Sequence, residues 1–208
     1  MSRGASVPYG RGRWTAAILL GKYLSAAAAG IVLGLILTWF VIDRKKGFGS
    51  IAAGPWTSFS RIGATDVEPY SRAILAYYGE TPLSESQAIS FISYGDSRGA
   101  EFNAACDYAL SGEVPPARYW TLTLYSPEGA LVANPANRYG FTSNEILRNA
   151  EGQFEITIAP HARPGNWLPS GGASRFVLVL RLYDSDLSVA SGTIEAAKMP
   201  VLVKGSCE

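Results

Sequence analysis

The stretch Tyr119-Trp-Thr-Leu-Thr-Leu-Tyr125 sets the pattern for the rest of the chain. Side chains alternate between the two faces of an extended strand, so Trp120, Leu122 and Leu124 fall on one face. The remaining residues of the stretch are Tyr and Thr, and they fall on the opposite face. This alternation predicts a strand with one buried face, which is typical of an antiparallel sheet.

Other segments on both sides of this stretch also favour strands. Residues 154–158 alternate Phe and Ile with Glu and Thr, and residues 176–183 are apolar on both faces over most of their length. Upstream, period-two patterns predict strands near residues 87–94 and 106–110. A capped apolar stripe over residues 65–79 predicts a short helix that leads into the sheets. Many short strands separated by Gly and Pro turns predict a mainly β fold, an antiparallel β-sandwich or a jelly roll.

The N-terminal part of the chain has the composition of a membrane segment. Residues 23–42 carry no charge, and at about 1.5 Å per helical residue they span about 30 Å, the thickness of a bilayer core. The alternative is a signal peptide cleaved within residues 25–29. Cleavage there leaves the apolar residues 30–42 exposed on the mature protein, so we predict an uncleaved anchor. The predicted organisation is a basic cytoplasmic tail at 1–13, a transmembrane signal anchor at 14–42, a linker at 43–63 and an extracytoplasmic β-sandwich domain at 64–208.

Charge is distributed unevenly along the chain, whose formal net charge is +1. Residues 1–46 carry seven Lys or Arg residues against the single acid Asp43, which leaves eleven basic and sixteen acidic residues in the rest. Nucleic-acid binding requires a surplus of Lys and Arg to neutralise phosphates. We therefore expect no nucleic-acid partner.

Cys106 and Cys207 are the two cysteines of the sequence. In an oxidising compartment they can pair, and closing a loop of about a hundred residues contributes up to ~4 kcal/mol in the chain-entropy model. Two free thiols are the alternative. A disulfide is the prediction, and it places the domain outside the cytoplasm.

Four motifs occur in a fixed order: Tyr119-Trp-Thr-Leu-Thr-Leu-Tyr, Asn134-Pro-Ala-Asn-Arg-Tyr, Asn166-Trp-Leu-Pro and Leu180-Arg-Leu-Tyr. In this order and spacing, the sequence from about Ile89 to the C-terminus resembles the bacterial family known as domain of unknown function 1214. The resemblance implies a jelly-roll-like β-sandwich, and its short relatives carry one N-terminal membrane helix. It implies no established activity, no cofactor and no catalytic residue.

The predicted location follows from the membrane segment and the resemblance. The basic N-terminal tail favours a cytoplasmic N terminus under the positive-inside rule. We expect a single-pass protein of the bacterial inner (cytoplasmic) membrane, in contact with the lipid bilayer through residues 14–42 and with its soluble domain in the periplasm. Gly30 and Gly34 form a small-residue stripe through which two helices can dimerise, although a lone helix is the simpler prediction.

Polar and aromatic residues near the predicted strand ends form a candidate ligand-binding set. The candidates are Asn137, Arg138, Tyr139, Asn166, Trp167, Arg181 and Tyr183. In a cleft, their rings can stack on sugars while amides and Arg bind hydroxyls, which makes a carbohydrate-binding domain of the cell envelope one hypothesis. The alternative is structural: Asn-Pro and Pro-Gly-Asn make turns, and the other side chains close the ends of the sandwich. The structural interpretation is preferred.

A third hypothesis is a serine hydrolase that uses Ser97 and His161. The segment Gly95-Asp-Ser-Arg-Gly99 fits the Gly-x-Ser-x-Gly pattern of a nucleophile elbow. That fold requires several strands before its serine, whereas the segment here follows an antiparallel pattern, so a turn is the better interpretation. His161 lies in a predicted loop with no nearby Cys or His, so no metal site is expected. The sequence thus predicts an envelope interaction or structural module rather than an enzyme.

Overall fold

The described part of the N-terminal unit is one long helix, α1, from Arg11 to Asp43. Its segment Ala17–Phe40 has a mean hydropathy of 1.9, and none of its side chains is buried. Alanine and leucine favour the helical backbone, and the apolar surface runs around the helix on all sides. The computed structural model describes residues 11–43, 50–58, 69, 72–73, 76, 87–187 and 198–207. α1 is long and apolar enough to cross a membrane.

In the second unit, residues 46–208, the described residues lie mainly in strands and the loops between them. The described strands are β1 (Ile51–Ala53), β2 (Trp56–Ser58), β3 (Ala88–Ser93), β4 (Cys106–Ser111), β5 (Ala117–Tyr125), β6 (Gly140–Thr142), β7 (Glu155–Ala159), β8 (Asn166–Pro169), β9 (Val177–Ser185) and β10 (Val201–Cys207). They form a six-stranded sheet of order β1-β2-β3-β9-β5-β6 and a four-stranded sheet of order β10-β4-β7-β8. The three strands predicted around residues 119–125, 154–158 and 176–183 are confirmed as β5, β7 and β9.

Both sheets contribute side chains to one hydrophobic core. From β5, Trp120, Leu122 and Leu124 are between 1% and 5% exposed, whereas the alternate residues of the strand are half-buried. Tyr108 of β4 and Ile156 of β7 belong to the same core from the four-stranded sheet. Each such side chain contributes about 1.5–3 kcal/mol by its burial. The predicted mainly β fold is therefore confirmed as two sheets that share a core.

The pairing differs from the predicted all-antiparallel arrangement at one edge. β8 runs parallel to β7, with Ile156 opposite Asn166 and Ala159 opposite Pro169, so the four-stranded sheet is mixed. A hairpin turn cannot produce this pairing, because the chain after Ala159 must run back before β8 begins. The prediction of an entirely antiparallel sandwich is thus wrong at this edge, and the jelly-roll form stays a prediction.

The predicted linker, residues 43–63, contains part of the sheet. β1 and β2 form a hairpin in which Gly54 has a φ of 63°, a conformation that glycine adopts without strain. Trp56 is fully buried, and its Nε1 donates a hydrogen bond of 2.8 Å to the carbonyl of Pro200. Burial of this ring draws residues 51–58 into the domain.

The helix predicted over residues 65–79 lies mostly outside the described residues. Pro69, Arg72, Ala73 and Ala76 are described, and each has helical backbone. The other residues of this predicted helix, including its caps, are outside the described part of the chain.

Cys106 and Cys207 are joined by a disulfide bond across 101 residues. The two cysteines are also register partners at the end of the β4–β10 pair. The bond therefore fastens the C-terminal edge strand to its neighbour, and the disulfide prediction is confirmed.

Candidate functional site

The structure divides the seven predicted site residues between two places. The first is the end of the domain where the loop 134–139 meets β8. Arg138 Nη1 donates a hydrogen bond of 3.0 Å to the carbonyl oxygen of Trp167, and its guanidinium carbon lies 5.3 Å from the ring centroid of Phe141. The loop is held by Asn134, whose side chain accepts from the amide of Arg138 and donates to its carbonyl at 3.1 and 3.0 Å. Arg138 and Trp167 are thus brought together, through a backbone contact.

Asn166 is the most completely bonded member of the set. It is 7% exposed. Its Nδ2 donates to the carbonyls of Leu147 and Glu155, both at 2.9 Å, and its Oδ1 accepts from the amide of Leu147 at 2.8 Å. A buried amide with these three partners has one acceptor position left. Asn166 therefore fastens the segment around Leu147 to the edge of the four-stranded sheet.

The remaining members near this end are also engaged or solvated. The indole Nε1 of Trp167 donates to the carbonyl of Ala159 at 3.1 Å, and the ring is half-buried. The carbonyl of Tyr139 accepts from the amide of Leu124 at 2.9 Å. Asn137 is exposed and has a φ of 49°, a left-handed conformation that asparagine tolerates in turns. These contacts support the structural interpretation for this end of the domain.

The second place is the outer face of the six-stranded sheet. Register pairing puts Arg181 of β9 between Ser90 of β3 and Thr121 of β5, and Thr121 faces Thr142 of β6. These four polar residues form a row across four strands, and each is half-buried. In the next row Tyr183 lies opposite Tyr119, and their ring centroids are 5.8 Å apart. We call the surface formed by Ser90, Thr121, Thr142, Arg181, Tyr119, Tyr183 and Tyr125 the tyrosine–arginine face.

Arg181 has a single described partner. Its Nη1 lies 3.4 Å from the hydroxyl of Tyr125, and its guanidinium carbon lies 5.7 Å from the centroid of that ring. The described ion pairs, such as Arg118 with Asp184, involve other residues. A guanidinium carries five N–H donors, and the contact with Tyr125 uses one of them.

Besides Ser90 and Thr142, three residues of β5 on the tyrosine–arginine face were absent from the sequence-based candidate set: Tyr119, Thr121 and Tyr125. The alternation placed them correctly on the polar face of β5, but it contains no information on which strand pairs with β5. The register with β9 supplies the missing fact, since it puts Tyr119 beside Tyr183 and Thr121 beside Arg181. At the loop end Arg138 contacts Trp167, and on the sheet face Arg181 contacts Tyr125. No described contact joins these two pairs.

Ser97 lies in the turn that the hydrolase hypothesis required to be a nucleophile elbow. Its amide donates to the carbonyl of Leu202 at 2.8 Å, and its Oγ accepts from the amide of Leu202 at 2.8 Å. The carboxylate of Asp96 accepts from the amides of Arg98 and Ala100, both at 2.9 Å, and so closes the turn. Ser97 thus hydrogen-bonds both backbone groups of Leu202 in the edge strand β10. This contact supports the interpretation of the segment as a structural turn.

This contact has a second component on the same edge. The Pro200 carbonyl is occupied by the Trp56 indole, and Pro200 has no N–H to offer. The Trp56 bond to Pro200 and the two Ser97 bonds to Leu202 thus occupy backbone groups along the outer side of this edge. Unpaired backbone groups on an edge strand otherwise favour pairing with another chain.

His161 is exposed, and within the described residues no group of three His, Cys, Asp or Glu side chains is placed to hold a metal ion.

Comparison with solved structures finds similar folds in bacterial proteins. The VPA0106 protein from Vibrio parahaemolyticus has a TM-score of 0.57 and 18% sequence identity, covering 98% of this chain and 47% of its own. An uncharacterized protein from Burkholderia cenocepacia has a TM-score of 0.47 and 12% identity, covering 65% of this chain and 33% of its own. This chain therefore spans less than half the length of either solved chain. No curated protein matches the sequence.

A family model matches residues 87–187, which run from the start of β3 to just beyond β9. The matched region includes both rows of the tyrosine–arginine face and the loop that carries Arg138. It confirms the resemblance that the four ordered motifs indicate. Residues 87–187 of the chain belong to the family described as "Protein of unknown function (DUF1214)".

Proposed function

We propose that this protein is a single-pass, membrane-anchored protein of the bacterial cell envelope whose jelly-roll-like β domain is an interaction module in the periplasm. In this proposal α1 crosses the inner membrane through residues 14–42 with its basic tail in the cytoplasm. The domain then presents its surface to an envelope protein or a glycan. Dimerisation through Gly30 and Gly34 stays a prediction.

The observation that carries the proposal is the Cys106–Cys207 disulfide in a chain that also carries a fully exposed apolar helix. Disulfides form and persist in oxidising compartments and are rare in the bacterial cytoplasm. A segment of 24 residues with a mean hydropathy of 1.9 and no buried side chain requires an apolar environment that the described structure does not supply. An extracytoplasmic domain behind a membrane anchor accounts for both features.

Carbohydrate binding is the second candidate, and the tyrosine–arginine face favours it. Tyr119, Tyr183 and Tyr125 are half-buried, so part of each side chain is accessible. Flat rings beside hydroxyl and guanidinium groups suit a ligand that is apolar on its faces and polar at its rim. Membrane anchoring is compatible with either candidate.

The location is tested in cells that express the full chain. Thiols are first blocked with N-ethylmaleimide without reduction, and the denatured chain is then treated with a polyethylene-glycol maleimide. We expect no mass shift before reduction and a shift by two adducts after it, since the chain has two cysteines. Proteinase K added to intact spheroplasts is expected to digest the domain.

Membrane attachment is tested by alkaline carbonate extraction of the same cells. The wild-type chain is expected in the membrane pellet. Leu33→Arg combined with Leu35→Arg is expected to release it, because each arginine costs about 2.5–3.5 kcal/mol at the centre of a membrane helix. Lys22→Arg is the matched control and leaves the chain in the pellet. No adduct after reduction, or a domain protected in spheroplasts, would contradict the proposed location.

A further inference from the structure

We infer that the tyrosine–arginine face binds a saccharide that carries a carboxylate, with Arg181 as the residue that recognises the anion. The inference rests on the proposed envelope function and names its ligand class. It goes beyond the loop candidates, because the residues that carry it lie on the outer sheet face.

The first argument is the charge of the face. Register pairing assigns to this side of the sheet the residues Ala52, Thr57, Ala88, Ser90, Ile92, Ala117, Tyr119, Thr121, Thr123, Tyr125, Gly140, Thr142, Val177, Val179, Arg181, Tyr183 and Ser185. Ala88, Ile92, Val177 and Val179 are buried, so the accessible part of the face is formed by the other residues. Arg181 is the one charged side chain among them. Its described partner, Tyr125, is neutral, so the face lacks a counter-charge among the described residues. An anionic group supplied by a ligand completes this arrangement.

The second argument is the geometry available to that anion. A guanidinium presents two parallel N–H donors, which match the two oxygens of a carboxylate. Arg181 lies in β9, which is paired on both sides by β3 and β5, so its backbone is held by the centre of the sheet. Half-burial lowers the effective dielectric around the pair and strengthens it relative to a fully solvated pair. The position therefore resembles a fixed recognition site more than a mobile surface arginine.

The third argument selects a saccharide over an acidic peptide. The neighbours of Arg181 in its row are the hydroxyls of Ser90, Thr121 and Thr142, and the next row offers the rings of Tyr119 and Tyr183. Hydroxyl groups that both donate and accept complement a polyol. β3 and β5 already flank β9, so this face offers side chains and leaves no open backbone edge for an extended peptide.

The test compares two disaccharides that differ by one carboxylate. The full chain is placed in lipid nanodiscs, and binding is measured by saturation-transfer NMR and calorimetry. N-acetylglucosaminyl-N-acetylmuramic acid is the anionic probe and N,N′-diacetylchitobiose is the neutral one. We expect the anionic probe to bind about tenfold more tightly, the difference that one charge-assisted hydrogen-bonded pair supplies. Arg181→Gln is expected to remove this difference, and Arg181→Lys to restore part of it.

Arg175→Gln is the control, since Arg175 is exposed and paired with Glu101 at 2.9 Å. It is expected to leave both affinities unchanged. Unfolding of every variant is recorded in parallel, and a cooperative transition shows that the fold is retained. Equal binding of the two probes, no binding of either, or tighter binding of a tetraglutamate peptide would overturn the inference. The location experiments are independent of these results, so an external domain with an unchanged Arg181→Gln variant rejects this inference alone.

Discussion

The two sheets use their polar side chains differently. In and around the four-stranded sheet, polar groups are bonded within the domain: Asn166 has three partners, Ser97 caps Leu202, and Arg163 pairs with Asp107 at 2.9 Å. On the outer face of the six-stranded sheet, Arg181 has one partner at 3.4 Å. The difference separates side chains with several hydrogen bonds inside the domain from one with a single described hydrogen-bond partner.

This comparison corrects an assumption in the sequence-based candidate set. Asn166, Trp167, Arg181 and Tyr183 have the same chemical character, yet their surroundings give them different roles. Burying a polar group costs free energy unless it is hydrogen-bonded, so the buried Asn166 side chain with its three hydrogen bonds is a structural element. The half-buried Arg181 has one described hydrogen-bond partner, so we propose that it is a binding residue. The following predictions test this division, beginning with the largest expected effect.

Removing the disulfide is expected to have the largest effect on stability. Cys106→Ala combined with Cys207→Ala opens a loop of 101 residues and should lower the free energy of unfolding by about 4 kcal/mol, through the entropy of the unfolded chain. Urea unfolding of the full chain in nanodiscs measures the change. The matched pair on the other sheet, Tyr119→Phe with Tyr183→Phe, removes two hydroxyls and should change it by less than about 0.5 kcal/mol. A larger loss in the tyrosine pair than in the cysteine pair would reverse the comparison.

Asn166→Ala is expected to lower the free energy of unfolding by about 2–4 kcal/mol, because it removes three hydrogen bonds that the buried side chain makes to the backbone. The control is Asn137→Gly, at an exposed position with a φ of 49°. It should change stability by less than about 0.5 kcal/mol. Thermal unfolding followed by near-ultraviolet circular dichroism measures the stability of the two variants. Equal stability of the two variants would show that the Asn166 contacts are dispensable.

Ser97→Ala is expected to cost about 1 kcal/mol, the usual net value of one hydrogen bond. The lost contact is the one from the Leu202 amide to Ser97 Oγ. Ser97→Thr keeps a hydroxyl and should restore most of the stability. The wild-type chain should also remain unlabelled by a fluorophosphonate, and specific labelling of Ser97 would return the hydrolase hypothesis to consideration.

The smallest expected effect is at Ser58, on the inner side of β2. Its Oγ is buried, and it has no hydrogen-bond partner among the described residues. Since an unbonded buried hydroxyl contributes only its desolvation cost, Ser58→Ala should be neutral or stabilising by up to about 1 kcal/mol. Denaturant unfolding measures the change in the free energy of unfolding. A loss of more than about 1 kcal/mol would indicate a bonded hydroxyl, for example through an ordered water.

Period-two patterning was sufficient to predict β5, β7 and β9 and the buried side of β5. It was sufficient because a strand with one buried face must alternate, whatever its partner. The parallel pairing of β8 with β7 was not predictable in this way, since Asn166-Trp-Leu-Pro is too short to show its neighbour. Trp56 was assigned to a linker because its acceptor, the Pro200 carbonyl, lies 144 residues away along the chain.

For the candidate site, residue chemistry was predictable and residue role was not. The sequence identifies Arg181 and Tyr183 as unusual at a strand end, but Tyr119 becomes relevant only through its register with Tyr183. In the same way, the three bonds of Asn166 depend on where Leu147 is placed by the fold. Contacts between residues far apart in the chain decide which polar side chains are hydrogen-bonded inside the domain.

The most direct test of the division between the sheets is the unfolding free energy of Arg181→Gln measured beside that of Asn166→Ala. Arg181→Gln should cost less than about 1 kcal/mol, since it removes one long hydrogen bond and one cation–π contact with Tyr125. Asn166→Ala should cost about 2–4 kcal/mol in the same experiment. If Arg181→Gln destabilises the domain as much as Asn166→Ala does, Arg181 is a structural residue and the division between the sheets is wrong.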